Sequence, residues 1–236
     1  MSVSTITSGV LCVGAALPDP PFEFMEDGEA RGFDIELMQA VAAELGLAWR
    51  LAPYTGADFN GIFEGLARGT WDCVASGATI TPDRLRLASF CTPYIRSGQS
   101  LVCNVEATPS VRSIDDLRGM ILGVQQGNTS EPVAHRLKDE GRIAEARTYA
   151  YHDIGAMLDD LSAGKIGAVM KLAPVMRWMI RDRPQLRIVQ DGITDERLGV
   201  AVRLGDDALR TAINDAQARL HKSGALPQLV KKWLQT

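Results

Sequence analysis

The stretch "SGATITPDR", residues 76–84, places a guanidinium three residues after a hydroxyl that opens a turn. Thr81 reads as a helix cap and Pro82 as a preorganised first helical residue. Arg84 then falls in the first turn, at the positive end of the helix dipole, where a cation is electrostatically disfavoured. Two readings accommodate it. The guanidinium reaches away to a neighbouring carboxylate, or an anion sits there, held by Arg84 and the free backbone N–H groups together. A second stretch of similar chemistry, "QGNTS" at 126–130, also precedes a helix start, with Asn128 or Thr129 as its cap.

Other chemistries are sparsely provided for. The three histidines, 135, 152 and 221, form no Cys/His ligand set, and the four cysteines, Cys12, Cys73, Cys91 and Cys103, show no C-x-x-C spacing. Metal-site and Cys/His-nucleophile readings are therefore weak, and no cofactor is expected. Cys12 and Cys73 lie in apolar runs, where a thiol behaves as a small hydrophobe. A Cys91–Cys103 bridge is possible in an oxidising compartment, but free thiols are the expectation.

The elements that must position these stretches alternate. "GVLCVGAAL" reads as a buried strand, followed by the helix "GFDIELMQAVAAELGL" with Asp34 as cap and Ile35, Met38, Val41, Ala42 and Leu45 on one face. "AWRLAPY" is a strand, "ADFNGIFEGLARG" a short helix and "WDCVASG" a strand. The pattern then restarts. "SIDDLRG" has capping-box spacing between Ser113 and Asp116, "MILGVQQG" and "ARTYAY" are strands, "DIGAMLDDLSAG" is a helix and "KIGAVMKL" a strand. Such β-α-β alternation predicts α/β sheets, mostly parallel and covered by helices. "LARGTWDCV" and "LSAGKIGAV" share L-x-x-G-x-x-x-x-V at the same helix-to-strand junction, which supports two similar lobes. In open α/β sheets ligands bind outside the carboxyl ends of strands, and both polar stretches leave such ends. That convergence favours the anion reading of Arg84.

The chain has 236 residues, enough for one large domain or two of about 100–120 residues. Apolar content is 46%, charged content 23% and net charge −4, with no basic run, which argues against nucleic acid and anionic membranes as partners. No apolar run approaches the ~18 residues of a membrane span. The opening "MSVSTITSGVLCVGAALP" lacks a basic start and a long apolar centre. Either the protein is cytoplasmic or a signal peptide has been removed.

Taken in order, "PPFEFMEDGEARGFDIELMQAVAAELG", "WDCVASGATITPDRLRLASFCTPY", "GVQQGNTSE", "GKIGAV", "LGVAVRLGD" and "GALPQLVKKW" resemble the family 3 extracellular solute-binding proteins, over nearly all of the chain. The resemblance implies a two-lobed periplasmic-binding-protein fold with a two-strand hinge that closes over a small ligand. Lobe I is expected over 1–101 and 200–236, lobe II over 102–199, with the hinge near 99–104 and 197–203. It implies a periplasmic monomer that passes a small carboxylate-bearing solute to the membrane permease of an ABC transporter.

Residue by residue, the resemblance matches Arg84 to the arginine that clamps the ligand's α-carboxylate, and Thr79 and Gly77 to its helpers. Thr129, beside Asn128, matches a second-lobe hydroxyl reaching the same carboxylate. Phe59 matches a position packing on the ligand, with a core place beside Phe63 as the alternative. The chain departs from the family where an aspartate pairs with the ligand's ammonium. Leu172 stands there, two residues before Pro174 and next to Lys171. Lys171 either points inward, toward a second anionic or polar acceptor group, or into solvent. Asp19 is a substitute partner for the ammonium or simply a turn residue of "PDPP". The ligand is accordingly an amino acid or an amine-free organic acid. A cyclohexadienyl-dehydratase-like enzyme on the same fold is the alternative, with Asp19, Asp58 and Glu131 as candidates for its general acid.

Overall fold

A computed structural model describes residues 3–234. The chain runs β1 (Val10–Ala16), β2 (Phe24–Glu26), β3 (Glu29–Arg31), α1 (Phe33–Glu44), β4 (Ala48–Tyr54), α2 (Ile62–Arg68), β5 (Cys73–Val74), β6 (Ala88–Phe90) and β7 (Ile95–Ser97). It continues through β8 (Gln99–Asn104), β9 (Ile121–Gln125), α3 (Ser130–Asp139), β10 (Glu145–Tyr149), α4 (Ile154–Ser162), β11 (Ala168–Leu172), α5 (Ala173–Met179) and β12 (Leu186–Gln190). Last come β13 (Glu196–Leu198), β14 (Ala201–Arg203), α6 (Asp207–Lys222) and α7 (Ala225–Leu234).

These elements form two compact units. Unit 1 holds Met1–Thr55, Asn60–Arg96 and Arg197–Thr236, and unit 2 holds Gly56–Phe59 and Ser97–Glu196. Unit 1 carries the five-stranded sheet β4-β1-β5-β14-β6, in which β1 runs parallel to β4 and β5 while β14 is antiparallel to both its neighbours. Four strands thus run one way and β14 alone the other. Unit 2 repeats this plan in β10-β9-β11-β8-β12, with β8 as the reversed strand. The expected α/β alternation is present in both units. The shared L-x-x-G motif lies at equivalent places, since α2 and α4 each end near a glycine at φ 71°, Gly69 and Gly164, before feeding β5 and β11.

β1 is buried almost throughout, which explains its continuous apolar run: a central strand covered on both faces needs no polar alternation. Helix α1 turns Phe33, Ile35, Leu37, Met38, Val41 and Ala42 into the core. Its start departs from expectation. The cap position is Gly32, and Asp34 lies inside the first turn without capping, because its carboxyl is drawn to partners elsewhere in unit 1. In unit 2, α3 covers a core of Leu101, Leu122, Val124, Leu137 and Met170 among others, while α4 packs against β8, β9 and β11. The Ser113–Asp116 capping box forms as expected, on a single 3-10 turn.

All four cysteines are buried free thiols, so no Cys91–Cys103 bridge exists. Burial pushes the Cys91 and Cys103 thiols up to about 12, which leaves them uncharged at neutral pH.

Close packing around Trp71 fixes the helix-to-strand geometry of unit 1. The indole lies against Gly14 of β1 and Gly65 of α2, and its Nε1 donates to the Ile62 carbonyl at 3.2 Å. A Cβ on Gly14 would stand 2.7 Å from the ring, and one on Gly65 would overlap it. Gly65→Ala is therefore expected to destabilise by roughly 1–3 kcal/mol through overpacking, despite the better helix propensity of alanine. Gly155→Ala in α4, where nothing lies within 4 Å of the new Cβ, should instead be neutral or stabilising by up to about 1 kcal/mol. Urea unfolding of the two variants checks both signs.

Candidate functional site

In unit 1 the chain leaves β5 and turns through Ser76–Arg84. Gly77 sits at φ 53°, in the left-handed region that glycine occupies without strain, and its N–H donates to Asp34 Oδ2 at 2.6 Å. Thr79 then bridges to Leu198, and the Ile80 N–H donates to the Arg197 carbonyl at 2.8 Å. Thr81 accepts from the Arg84 N–H at 3.2 Å, as its cap assignment predicts. The helical segment beyond it is only a 3-10 turn, Arg84–Arg86, so the helix-dipole cost expected for Arg84 does not arise.

The Arg84 side chain is 5% exposed. Its Nη1 donates to the Thr79 carbonyl at 2.9 Å, its Nε to Asn60 Oδ1 at 3.1 Å, and its Cζ lies 5.3 Å from the Phe63 ring centre. Neutral groups on three sides thus orient a buried guanidinium, and Thr79, Gly77 and Asn60 are gathered around the same turn. Asn60 had no signal in the sequence beyond its adjacency to Phe59.

Asp19 lies in a tight turn, where its N–H donates to the Glu23 carbonyl at 2.7 Å, and it is nonetheless buried. It belongs to a group of buried carboxyls with Glu23 and Asp34. Glu23 Oε1 accepts from the Ser76 hydroxyl, which in turn accepts from the Ala16 N–H at 3.0 Å. Asp34 Oδ2 accepts from the Tyr94 hydroxyl as well as from Gly77.

In unit 2, Phe59 packs on Tyr151, with ring centres 5.0 Å apart, while Phe63 faces Phe90 in unit 1. The Phe59 N–H donates to the Gln126 carbonyl at 3.2 Å and the Tyr151 N–H to Ala57 at 2.7 Å. Lys171 is 2% exposed, and its ammonium lies 5.3 Å from the Tyr151 ring centre. Lys171 is therefore buried and does not point into solvent. At the start of α3, Asn128 Nδ2 donates to Gln125 Oε1 at 3.2 Å. Thr129 occupies the cap position without a capping bond. Its hydroxyl instead donates to Glu196 Oε2 at 2.8 Å and accepts from Gln99 Nε2 at 2.9 Å. Glu131 accepts from the Gly127 N–H at 2.7 Å and so stabilises the turn before the helix. Among the described residues no group of His, Cys, Asp and Glu is arranged to hold a metal ion.

The Asp34–Gly77 bond makes the Arg84 turn sensitive to pH. Burial pushes the Asp34 carboxyl up to about 7, aided by the charge of Asp19 and opposed by the bonds from Gly77 and Tyr94. Tyr94 itself is pushed well above its usual value by burial, then by Asp34 and Glu23, and stays a donor. A carboxyl that binds its proton more tightly when folded adds most stability below its unfolded value near 3.8, and that contribution shrinks as pH rises toward 7. The change amounts to roughly 4 kcal/mol for a shift of this size. Urea unfolding from pH 4 to 8 should therefore show wild type losing several kcal/mol relative to Asp34→Asn. Parallel profiles would show that Asp34 does not titrate in this window.

The family model of bacterial extracellular solute-binding proteins, family 3, matches residues 11–236. The L-cystine-binding protein TcyJ of Escherichia coli K12 is 31% identical over 228 residues, covering 95% of this chain and 82% of that protein. Among solved structures, an ancestral arginine-binding protein bound to arginine superposes with a TM-score of 0.87 at 31% identity, covering 96% of this chain and 98% of the other. The ancestral amino acid-binding protein AncCDT-1, a precursor of cyclohexadienyl dehydratase, gives 0.83 at 30% identity over 95% of each chain. With the family model spanning all but the first ten residues, this chain belongs to the family 3 bacterial extracellular solute-binding proteins.

Proposed function

We propose that this protein is the solute-binding component of an ABC importer, working outside the cytoplasmic membrane with a permease, and that its solute carries a carboxylate. The observation that supports this most is the buried guanidinium of Arg84, oriented by the Thr79 carbonyl and Asn60 on the turn that leaves β5. A planar fork of N–H donors held by Thr79, Asn60 and Phe63 is preorganised for a bidentate carboxylate. Gly77 and Thr79 assist from the same turn. From unit 2 we assign Phe59, Asn128, Thr129 and Lys171 to solute recognition, with Asp19 as a further candidate in unit 1. The relatives named for cystine and arginine binding support an amino acid or a close acid as the solute. Binding by hydrogen bonds and charge needs no catalytic group, cofactor or second subunit.

The test is a thermal-shift panel on ligand-stripped protein, with L-amino acids, amine-free organic acids, dicarboxylates and prephenate. A ligand at 100 times its Kd should add about 2.7 kcal/mol of stability. Turnover of prephenate would overturn the binding reading in favour of an enzyme. For the best ligand found, Arg84→Lys keeps the charge but loses the planar fork. Titration calorimetry should then show affinity at least about tenfold weaker. Unchanged affinity would remove Arg84 from the site.

A further inference from the structure

A cleft of about 330 Å³ lies wholly within unit 1 and shares no residue with the Ser76–Arg84 turn. Its walls come from α6, the first turn of α7 and the segment Thr92–Tyr94 that precedes β7. Asn214, Gln217, Ala218 and His221 follow the i, i+3, i+4, i+7 spacing of one helical face. They run beside the stripe of Leu209, Ile213, Ala216 and Leu220 that α6 buries in the core. A second inward face of α6 is therefore mostly polar, where packing alone would favour apolar residues.

The polar groups on these walls have donors to spare and few acceptors. Asn214 Oδ1 accepts from the Thr92 N–H at 2.7 Å, which leaves that side chain its NH2 to offer. The Tyr94 hydroxyl is committed to Asp34 Oδ2 at 3.0 Å. Gln217 is 5% exposed, and its Nε2 is buried without a hydrogen-bond partner. The terminal amide torsion of glutamine is soft, so the NH2 turns readily to meet an acceptor. A buried unpaired donor is costly, and it becomes favourable once an acceptor reaches it. No lysine, arginine, aspartate or glutamate is among the lining residues described, so an anion would be buried with only His221 as a source of positive charge. A neutral carbonyl oxygen meets the donors without that cost.

We propose that this cleft is a second binding site, for a small neutral molecule that sets a carbonyl oxygen on the Gln217 amide and an apolar body against Pro93, Ala218 and Leu226. Its volume falls in the lower part of the roughly 300–1,000 Å³ typical of small-molecule sites. The inference goes beyond the solute-binding reading and does not depend on it.

Three probes of similar shape separate the terms. Acetophenone carries a neutral carbonyl, ethylbenzene replaces that carbonyl by CH2, and benzoate adds a charge. Each is titrated into 15N-labelled, ligand-stripped, full-length protein while NMR follows the Gln217 side-chain NH2 and the backbone amides of Ala218 and Leu226. Acetophenone should shift these signals saturably at millimolar concentration, and bind at least about fivefold more tightly than ethylbenzene or benzoate. Gln217→Leu deletes the donor while keeping most of the volume. Acetophenone should then lose its advantage over ethylbenzene, whereas a general structural defect weakens both alike. Should Gln217→Leu fail to fold, Ala218→Phe at an exposed position fills the cleft, and must weaken acetophenone at least about tenfold. No saturable shift at Gln217, or shifts confined to Gly77–Arg84, would overturn the site. Ethylbenzene or benzoate bound as tightly as acetophenone, or acetophenone binding unmoved by the substitutions, would overturn it equally. Each of these failures leaves the carboxylate at Arg84 untouched.

Discussion

Arg84 carries a full charge at 5% exposure, and the need to satisfy that guanidinium governs the segment around it. A buried ion is tolerated only when fixed dipoles or opposite charges replace its water. Here the Thr79 carbonyl, Asn60 and the Phe63 ring contact it, and the turn that carries Thr79 depends on something further back. Thr79 is placed by its bridge to Leu198, and Gly77 by the buried carboxyl of Asp34. Asp34 is in turn placed by α1, whose apolar face is locked into the core. The chain of dependence runs from a helix packed for hydrophobic reasons to a charge held in a buried place.

Unit 2 solves a related problem with neutral donors. Its five-stranded sheet has the same strand plan as that of unit 1, and in each the reversed strand, β14 or β8, starts shortly after the chain enters the unit. The polar residues gather around strand termini, as open α/β sheets favour, because the backbone there leaves the ladder and its groups must find side-chain partners. Thr129 illustrates the trade. As cap it would satisfy one orphan N–H of α3, but the structure spends its hydroxyl on Glu196 and Gln99. A charge-assisted bond to a carboxylate is stronger than a neutral capping bond, so the longer-range contact wins.

That competition also explains what could be read from residues alone. Elements whose signals are local were legible: "AWRLAPY" is β4 to the residue, and the Ser113–Asp116 capping box forms. The α/β alternation followed from periodicity, and the resemblance identified the family. Features fixed by distant partners were not legible. Asp34 looks like a cap because it starts an amphipathic run, yet its carboxyl is claimed by Gly77 and Tyr94. Thr81 and Pro82 signal a helix, and the cap bond forms, but the chain needs to enter β6 within a few residues and only one 3-10 turn fits. Gln99 and Glu196 sit 97 residues apart, in segments with no periodic pattern to single them out.

The residues alone left Lys171 facing either inward or into solvent, and strand geometry shows why that choice was too coarse. β11 pairs with β8 so that Leu172 lies opposite Gln99 and Lys171 opposite Ser100. Consecutive strand residues point to opposite faces, and residues paired across a ladder share one. Gln99 therefore shares the face of Leu172, where Thr129 and Glu196 join it. Lys171 goes to the other face, where Tyr151 covers its ammonium. Burial of the lysine is thus compatible with a strand end whose Leu172 face carries a carboxylate. Leu172 is an apolar side chain on that face, and the Glu196 carboxylate, which arrives from β13, is joined to the same face through Gln99. A position that looks chemically empty along one strand can be supplied by a residue that meets it only through the fold.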